Sequence, residues 1–257
     1  ISHELRTPLN ILLSAIQVIE VQIKNENRTI DWNKIIKNIN IEKQNCYRLI
    51  RLTNNLIDIT KIDSGNLDFR MNNYNIVSII ENITLSVAEY IKHNNLSLVF
   101  DTEIEEKTVY CDQDIMERII FNLLSNSIKF TESGGSIFVN IFDGEEFITI
   151  TIEDTGIGIP KEKLDLIFER FRQVDKSFRR KNEGSGIGLS LVKSMVEIQG
   201  GKISVESKYG VGTKFTIKFP VKTLYCDNVE EAAKEPDNNT INYYVDTINV
   251  EFSDIYK

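Results

Sequence analysis

His3 is one of two histidines in a chain of 257 residues, and an acid, Glu4, follows it at once. Imidazole is a nucleophile near neutral pH, and a neighbouring carboxylate can hold one ring nitrogen protonated while the other attacks. Thr7 stands four positions on, so on a helix its hydroxyl shares a face with His3. That spacing suits an imidazole that accepts a phosphoryl group. A second polar set, Asn122, Asn126 and Lys129, falls at i, i+4 and i+7. On a helix the three line one face, where amide oxygens suit Mg2+ while amide N–H groups and an ammonium suit phosphate. Taken alone, two asparagines and a lysine are more often a solvated helix face.

Two glycine-bearing segments reverse that judgement. DTGIGIP, residues 154–160, ends a predicted strand. Gly156 and Gly158 let the backbone approach a flat ligand, and Asp154 can accept a hydrogen bond from an adenine amine. EGSGIGL, residues 183–189, opens a predicted helix with Gly184, Gly186 and Gly188. Free N–H groups and the positive end of the helix dipole favour phosphate there. A dinucleotide fold would need a strand directly before these glycines, but residues 178–183 are charged and loop-like. Lys176, Arg179, Arg180 and Lys181 between the two segments read as a basic lid over phosphates, with Phe168 and Phe171 at its hinge.

The elements that must position these groups follow from periodicity. Leu9, Leu12, Leu13, Ile16 and Ile19 predict a helix over 5–23, bent near Pro8, whose ring removes a backbone donor. A second helix runs from Asp31, a residue suited to its N-cap, to Ser64, with Gly65 as its stop. Its stripe of Ile35, Ile36, Ile39, Cys46, Leu49, Ile50, Leu56 and Ile57 is wider than two helices can bury. A homodimer forming a four-helix bundle would cover it; the alternative is a hairpin packed on its own C-terminal domain. Residues 66–75, rich in Asn, read as a linker.

Beyond the linker the pattern is mixed. Helices are expected over 76–91, 113–130, 161–168 and 188–199. Strands are expected over 96–100, 108–111, 202–207 and 213–219, with a hairpin of 136–142 and 145–153 around Asp143-Gly144. The fold class is therefore α+β: a helical hairpin over 1–65, then a two-layer α/β sandwich over 76–220 with a largely antiparallel sheet. Residues 221–257 form an acidic tail in which 241–252 alternates like an added strand; a passive appendage is the expectation.

Net charge is −8, which argues against a nucleic-acid surface. The tail holds eight Asp/Glu against three Lys, a net of −5, leaving −3 for everything before it. Cys46, Cys111 and Cys226 are isolated, without metal-ligand spacing, as expected in a reducing compartment. No apolar run would span a bilayer and no signal peptide is visible, so this stretch is expected to be cytoplasmic. The chain opens at Ile1, two residues before His3, and reads as a fragment whose missing upstream segments could anchor the parent in a membrane.

In order, SHELRTPLN, NLLSNSIKFT, DTGIGIP, FERF and EGSGIGL resemble the phosphoacceptor, asparagine, first glycine, phenylalanine and second glycine boxes of the HisKA class of sensor histidine kinases. The resemblance runs from Ser2 to about Pro220; each glycine box alone also resembles the wider ATPase superfamily of gyrase, the Hsp90 chaperones and MutL. It implies ATP and Mg2+ as cofactors, a response-regulator receiver domain as partner and homodimerisation through the hairpin. It implies that His3 is phosphorylated, that Glu4 assists proton removal, and that Thr7 orients water when the partner is dephosphorylated. By the same resemblance Asn122 binds Mg2+, Asn126 and Lys129 bind phosphates, and Phe130 meets the adenine face. Asp154 binds the adenine amine, and Gly156, Gly158, Gly184, Gly186 and Gly188 shape the pocket. Thr213, in GVGTKF, lines the base pocket through water. One departure stands out. Relatives carry an arginine two positions after the second phenylalanine, where this chain has Gln173, preceded by Arg172. The competing readings are an ATPase clamp of the same superfamily, which needs no SHELRTP, and an inactive dimerisation scaffold, which needs neither Asp154 nor the glycines.

Overall fold

The computed structural model describes residues 2–24, 31–66, 68–170, 186–222 and 238–255. Helices α1 (Ser2–Lys24) and α2 (Trp32–Asp63) form the expected hairpin. Asp31 caps α2 by accepting a hydrogen bond from the Lys34 N–H at 3.1 Å. Its far end closes with Gly65 at φ +68: the Gly65 N–H donates to Ile62 and the Asn66 N–H to Lys61. Those paired bonds satisfy carbonyls that the helix leaves open. Pro8 lies inside α1, which continues through it.

The faces of α2 are not divided as its apolar stripe suggests. Ile36, Ile39, Ile50 and Ile57 remain exposed, whereas Asn45, Arg48, Arg51, Asn55 and Asp58 are buried at helical spacing. Arg51 and Asp58 meet opposite charges on later elements. A polar stripe of α2 therefore packs within the chain, while an apolar one stays uncovered.

β1 (Met71–Asn75) occupies the second half of the expected linker and pairs antiparallel with β3 (Thr108–Asp112). The Asn-rich composition hid it, because strand pairing satisfies its backbone while Asn73 is buried. α3 (Ile76–Ser86) and α4 (Ala88–His93) replace one expected helix. Near the break, the Thr84 and Ser86 hydroxyls donate to the Ile80 and Ile83 carbonyls, competing with the helical ladder.

β2 (Ser97–Thr102), β4 (Ser136–Phe142), β5 (Phe147–Asp154), β7 (Gly212–Pro220) and β6 (Lys202–Lys208) make a five-stranded sheet in that order. Only the β2–β4 pair is parallel. α5 (Gln113–Phe130) has the bounds its periodicity predicts, and α6 (Gly188–Ile198) follows. Alternate residues of the central strands face the two helices. Ile137, Val139 and Ile141 of β4, Ile148, Ile150 and Ile152 of β5, and Phe215, Ile217 and Phe219 of β7 join Ile119, Ile120, Leu123 and Leu191 in one core. The expected helix over 161–168 is a 3-10 turn, Lys161–Lys163, extended by further i→i+3 bonds such as Leu166 to Lys163 and Glu169 to Leu166.

The expected strand over 241–252 is instead a helix, α7 (Asn238–Glu251). Tyr244, Ile248 and Phe252 stand four apart, and the first and last are buried against Phe121 of α5. That period of four wins over the two-residue alternation because an aromatic groove is available to receive it.

Ile150→Ala, at the fully buried centre of β5, should lower stability by about 2–5 kcal/mol in chemical denaturation. Val99→Ala, on the exposed side of edge strand β2, should stay within about 0.5 kcal/mol.

Candidate nucleotide site

α5 starts where Asp112 accepts from the Ile115 N–H, and the same carboxylate accepts from the Arg70 N–H, which ties the helix start to the segment entering β1. From that anchor, Asn122, Asn126 and Lys129 project on one side. The Asn126 amide lies 3.4 Å from Asn122 Oδ1, so the two amides meet as their spacing implies. Asn122 is buried beneath the start of α6: a Cβ on Gly188 would stand 2.7 Å from Asn122 Oδ1. A side chain at that position would displace the Asn122 amide. Gly186 has φ +65, and Ile187, the N-cap of α6, makes no side-chain cap. The first N–H groups of α6 therefore open toward the amide pair without a side-chain acceptor from the cap residue.

Asp154 ends β5, buried, on the other side of this cleft. Its Oδ1 accepts from the Gly156 N–H at 2.9 Å and its Oδ2 from the Ser127 hydroxyl at 3.3 Å. Burial pushes its carboxyl up to about 6, against the opposing pull of Gly156, Ser127 and the Thr213 backbone. The loop beyond it is held by close backbone approach. A Cβ on Gly156 would lie 2.4 Å from the Phe130 carbonyl, which itself accepts from the Ile157 N–H. At Gly158, φ is +66 and a Cβ would meet the Lys208 carbonyl at 2.1 Å. Ser207 bonds the Ile159 N–H and the Thr213 hydroxyl, so Thr213 sits beside Asp154 within the same network.

Asn122 and Asn126 thus meet the start of α6 at Gly188, while Phe130, Asp154, Gly156 and Thr213 meet where the end of α5 reaches the ends of β5 and β7. Lys129 places Nζ 5.7 Å from the Phe130 ring centroid, but that nitrogen contacts Asp254 Oδ2 at 2.8 Å. Burial lowers the Lys129 pKa and Asp254 opposes the fall. Phe168 packs edge-on against Phe215 of β7, their ring centroids 6.5 Å apart. Gly184, the lid cations, Phe171, Arg172 and Gln173 lie outside the described residues. So do the side chains of His3 and Glu4, whose backbone forms the first turn of α1; Thr7 is half-buried one turn along.

Three contributors have no role predicted from the sequence: Ser127 and Arg170, which lie inside the asparagine and phenylalanine boxes, and Asp254, which lies outside every box. Ser127 binds Asp154, Asp254 binds Lys129, and Arg170 grips Asp63 at the end of α2 through two bonds of 2.7 Å. Ser127 carried a signal, since it lies between Leu123 and Leu124 on one turn and Ile128 on the next, on the apolar side of a helix whose position was clear. Among the described residues no group of three or more His, Cys, Asp and Glu could hold a metal ion, so Mg2+ here would rely on amide and phosphate oxygens. The paired amides fit that demand. No described helix is long and apolar enough to cross a membrane.

The chain thus combines a helical hairpin whose first turn carries His3 with an α/β sandwich in which glycine-opened backbone, a buried carboxylate and paired amides come together. Residues 1–65 match the His Kinase A (phospho-acceptor) domain, and residues 111–223 the histidine kinase-, DNA gyrase B-, and HSP90-like ATPase family. The chain belongs to the sensor histidine kinases. It is 34% identical over 224 residues to histidine kinase P4 of Formosa agariphila, covering 86% of this chain and 16% of that protein. With the sensor histidine kinase WalK of Bacillus subtilis it shares 32% identity over 234 residues, 90% of this chain and 37% of WalK. The chain thus spans well under half the length of either relative. Histidine kinase ThkA, in its complex with the response regulator TrrA, has the same fold: TM-score 0.61 at 21% identity, over 86% of this chain and 60% of that one.

Asp154→Asn should raise the melting temperature above pH 6. The folded pKa lies above the unfolded value of 3.8, so ionisation costs stability as pH rises from about 4 to 6, up to about 3 kcal/mol. The difference between variant and wild type should close below pH 4, which paired thermal melts across pH would measure.

Proposed function

We propose that this chain is the catalytic core of a two-component sensor kinase, transferring the γ-phosphoryl group of ATP to His3 and then to an aspartate of a response-regulator receiver domain. The single observation that carries the reading is the cleft itself. A buried carboxylate, a pair of facing amides and glycine-opened backbone converge there, on a chain whose first helix begins with His3 and Glu4.

Asp154 accepts from the adenine amine, Phe130 covers the base, and Thr213 completes the edge of the base site. Asn126 and the open N–H groups of α6 hold the phosphates, with Gly184, Gly186 and Gly188 shaping their approach. Asn122, paired with Asn126, supplies oxygen for Mg2+. When bound, Mg2+ neutralises charge on the β- and γ-phosphate oxygens. Little covalent help is needed from the protein, because phosphoryl transfer depends mainly on positioning and charge. The His3 ring nitrogen forms the bond to phosphorus as the bond to the ADP oxygen breaks, and Glu4 takes up the ring proton. Thr7, one turn along, orients water for dephosphorylation of the regulator.

Exposed Leu9, Leu13, Ile16, Ile36, Ile39, Ile50 and Ile57 on α1 and α2 support a second copy of the hairpin as their cover, giving a four-helix bundle. ThkA, in complex with a response regulator, supports the class of partner.

Incubation with γ-labelled ATP and Mg2+ should yield acid-labile, base-stable label on the wild-type chain. His3→Gln and Asn122→Ala should both abolish it. Label that survives in His3→Gln, or ATP hydrolysis with no protein label, would contradict the proposal and favour an ATPase of the same superfamily.

A further inference from the structure

We propose that residues 238–255 act as an intramolecular clasp, in which Asp254 occupies Lys129 in place of nucleotide phosphate and ties the hairpin to the ATP-binding unit. This rests on the reading of Lys129 as a phosphate contact and assigns a regulator to that site.

The clasp is seated by apolar contact. Phe252 lies 4.9 Å from the Tyr90 ring of α4 and 6.4 Å from Phe121 of α5, and Tyr244 lies 6.1 Å from Phe121. Backbone groups add to the fit: Ser125 donates to the Glu251 carbonyl at 3.0 Å and Gln44 of α2 to the Ser253 carbonyl at 3.3 Å. Helix α7 and the turn after it therefore touch both parts of the molecule at once.

At the end of this contact lies a buried charge cluster. Asp254 takes Lys129 Nζ on Oδ2 at 2.8 Å and Arg51 Nη1 on Oδ1 at 2.6 Å. Glu251 takes Arg51 Nε at 3.1 Å. Burial alone would raise the Asp254 carboxyl, but Arg51 and Lys129, with Arg48 behind them, hold it down at about 2. The carboxylate is therefore fully charged wherever a kinase works.

Lys129 shares its helix face with Asn122 and Asn126, and its side chain is only 4% exposed with Asp254 in place. An entering phosphate must take that ammonium from Asp254 or bind without it. Loss of the carboxylate would at the same time leave Arg51 to Glu251 alone, weakening the hold of the tail on α2. The clasp thus couples two things that phosphotransfer requires: a phosphate-binding lysine and a hairpin able to bring His3 to the nucleotide. Nucleotide binding to a partly closed population is weakened by the fraction that is open.

The test is titration of the full chain with a non-hydrolysable ATP analogue and Mg2+, comparing wild type with Asp254→Asn and Phe252→Ala. The second variant unseats the segment without altering a charge, which covers the case where the first leaves buried cations that prevent folding. Asp143→Asn, which weakens the surface contacts of Asp143 to Lys107 and Gly144 and leaves the clasp residues unchanged, is the control. Both clasp variants should bind at least about fivefold more tightly, the lower end of ordinary coupling between sites, and the control should match wild type. By reciprocity, saturating analogue should speed amide exchange over residues 243–255 of the wild-type chain. Equal or weaker binding by both clasp variants overturns the clasp while leaving the kinase reading intact. No binding by any of the chains, wild type included, overturns the kinase reading and the clasp with it.

Discussion

A carboxylate buried at the end of a β-strand is the constraint around which the site is organised. Asp154 is held by Gly156 and Ser127, beside the Thr213 backbone, and burial raises its pKa. A charge in that position is costly unless a further donor reaches it. Gly156 and Gly158 bring the loop backbone against the Phe130 and Lys208 carbonyls more closely than a side chain would allow. The fold gives up stability at this strand end by keeping a carboxyl buried there.

The same helix serves two neighbours. One side of α5 carries the amide pair toward Gly188 and the α6 start; the adjoining side carries Phe121 and Ser125 toward the C-terminal helix. Lys129 stands on the border between them. Its ammonium is held by Asp254. The opposite partner of that anion, Arg51, belongs to a buried polar stripe on α2, and the pairs Arg118–Asp58 and Arg170–Asp63 extend the contact along the hairpin. Charge pairs join the two parts of the chain, alongside Ile59 and Ile62 of α2, which pack on the core.

Local signals made most of the sandwich legible. Asp112 as an N-cap and an uninterrupted helical period delimit α5, and alternation with Asp143-Gly144 marks the β4–β5 hairpin. Readings failed where long-range contact decided the outcome. Residues 71–75 look like linker because their pairing partner, Thr108–Asp112, comes only after α3, α4 and β2. Residues 241–252 fit both periods, and only Phe121 and Tyr90 select the helix. The buried polar stripe on α2 could not be read at all, since Arg48, Arg51 and Asp58 resemble a solvated face until their counter-charges are placed. For the site, the boxes anticipated the meeting of the two amides and the close backbone approach at Gly156, Gly158 and Gly188, whereas the contacts of Ser127 and Asp254 depended on which side chains the fold brings together.

The most direct measurement is a crystal structure of the chain with a non-hydrolysable ATP analogue and Mg2+. The account predicts the adenine amine within hydrogen-bonding distance of the Asp154 carboxylate, with the phosphates at Asn126 and the start of α6. An analogue bound elsewhere, with Asp154 keeping only its contacts to Gly156, Ser127 and Thr213, would contradict it.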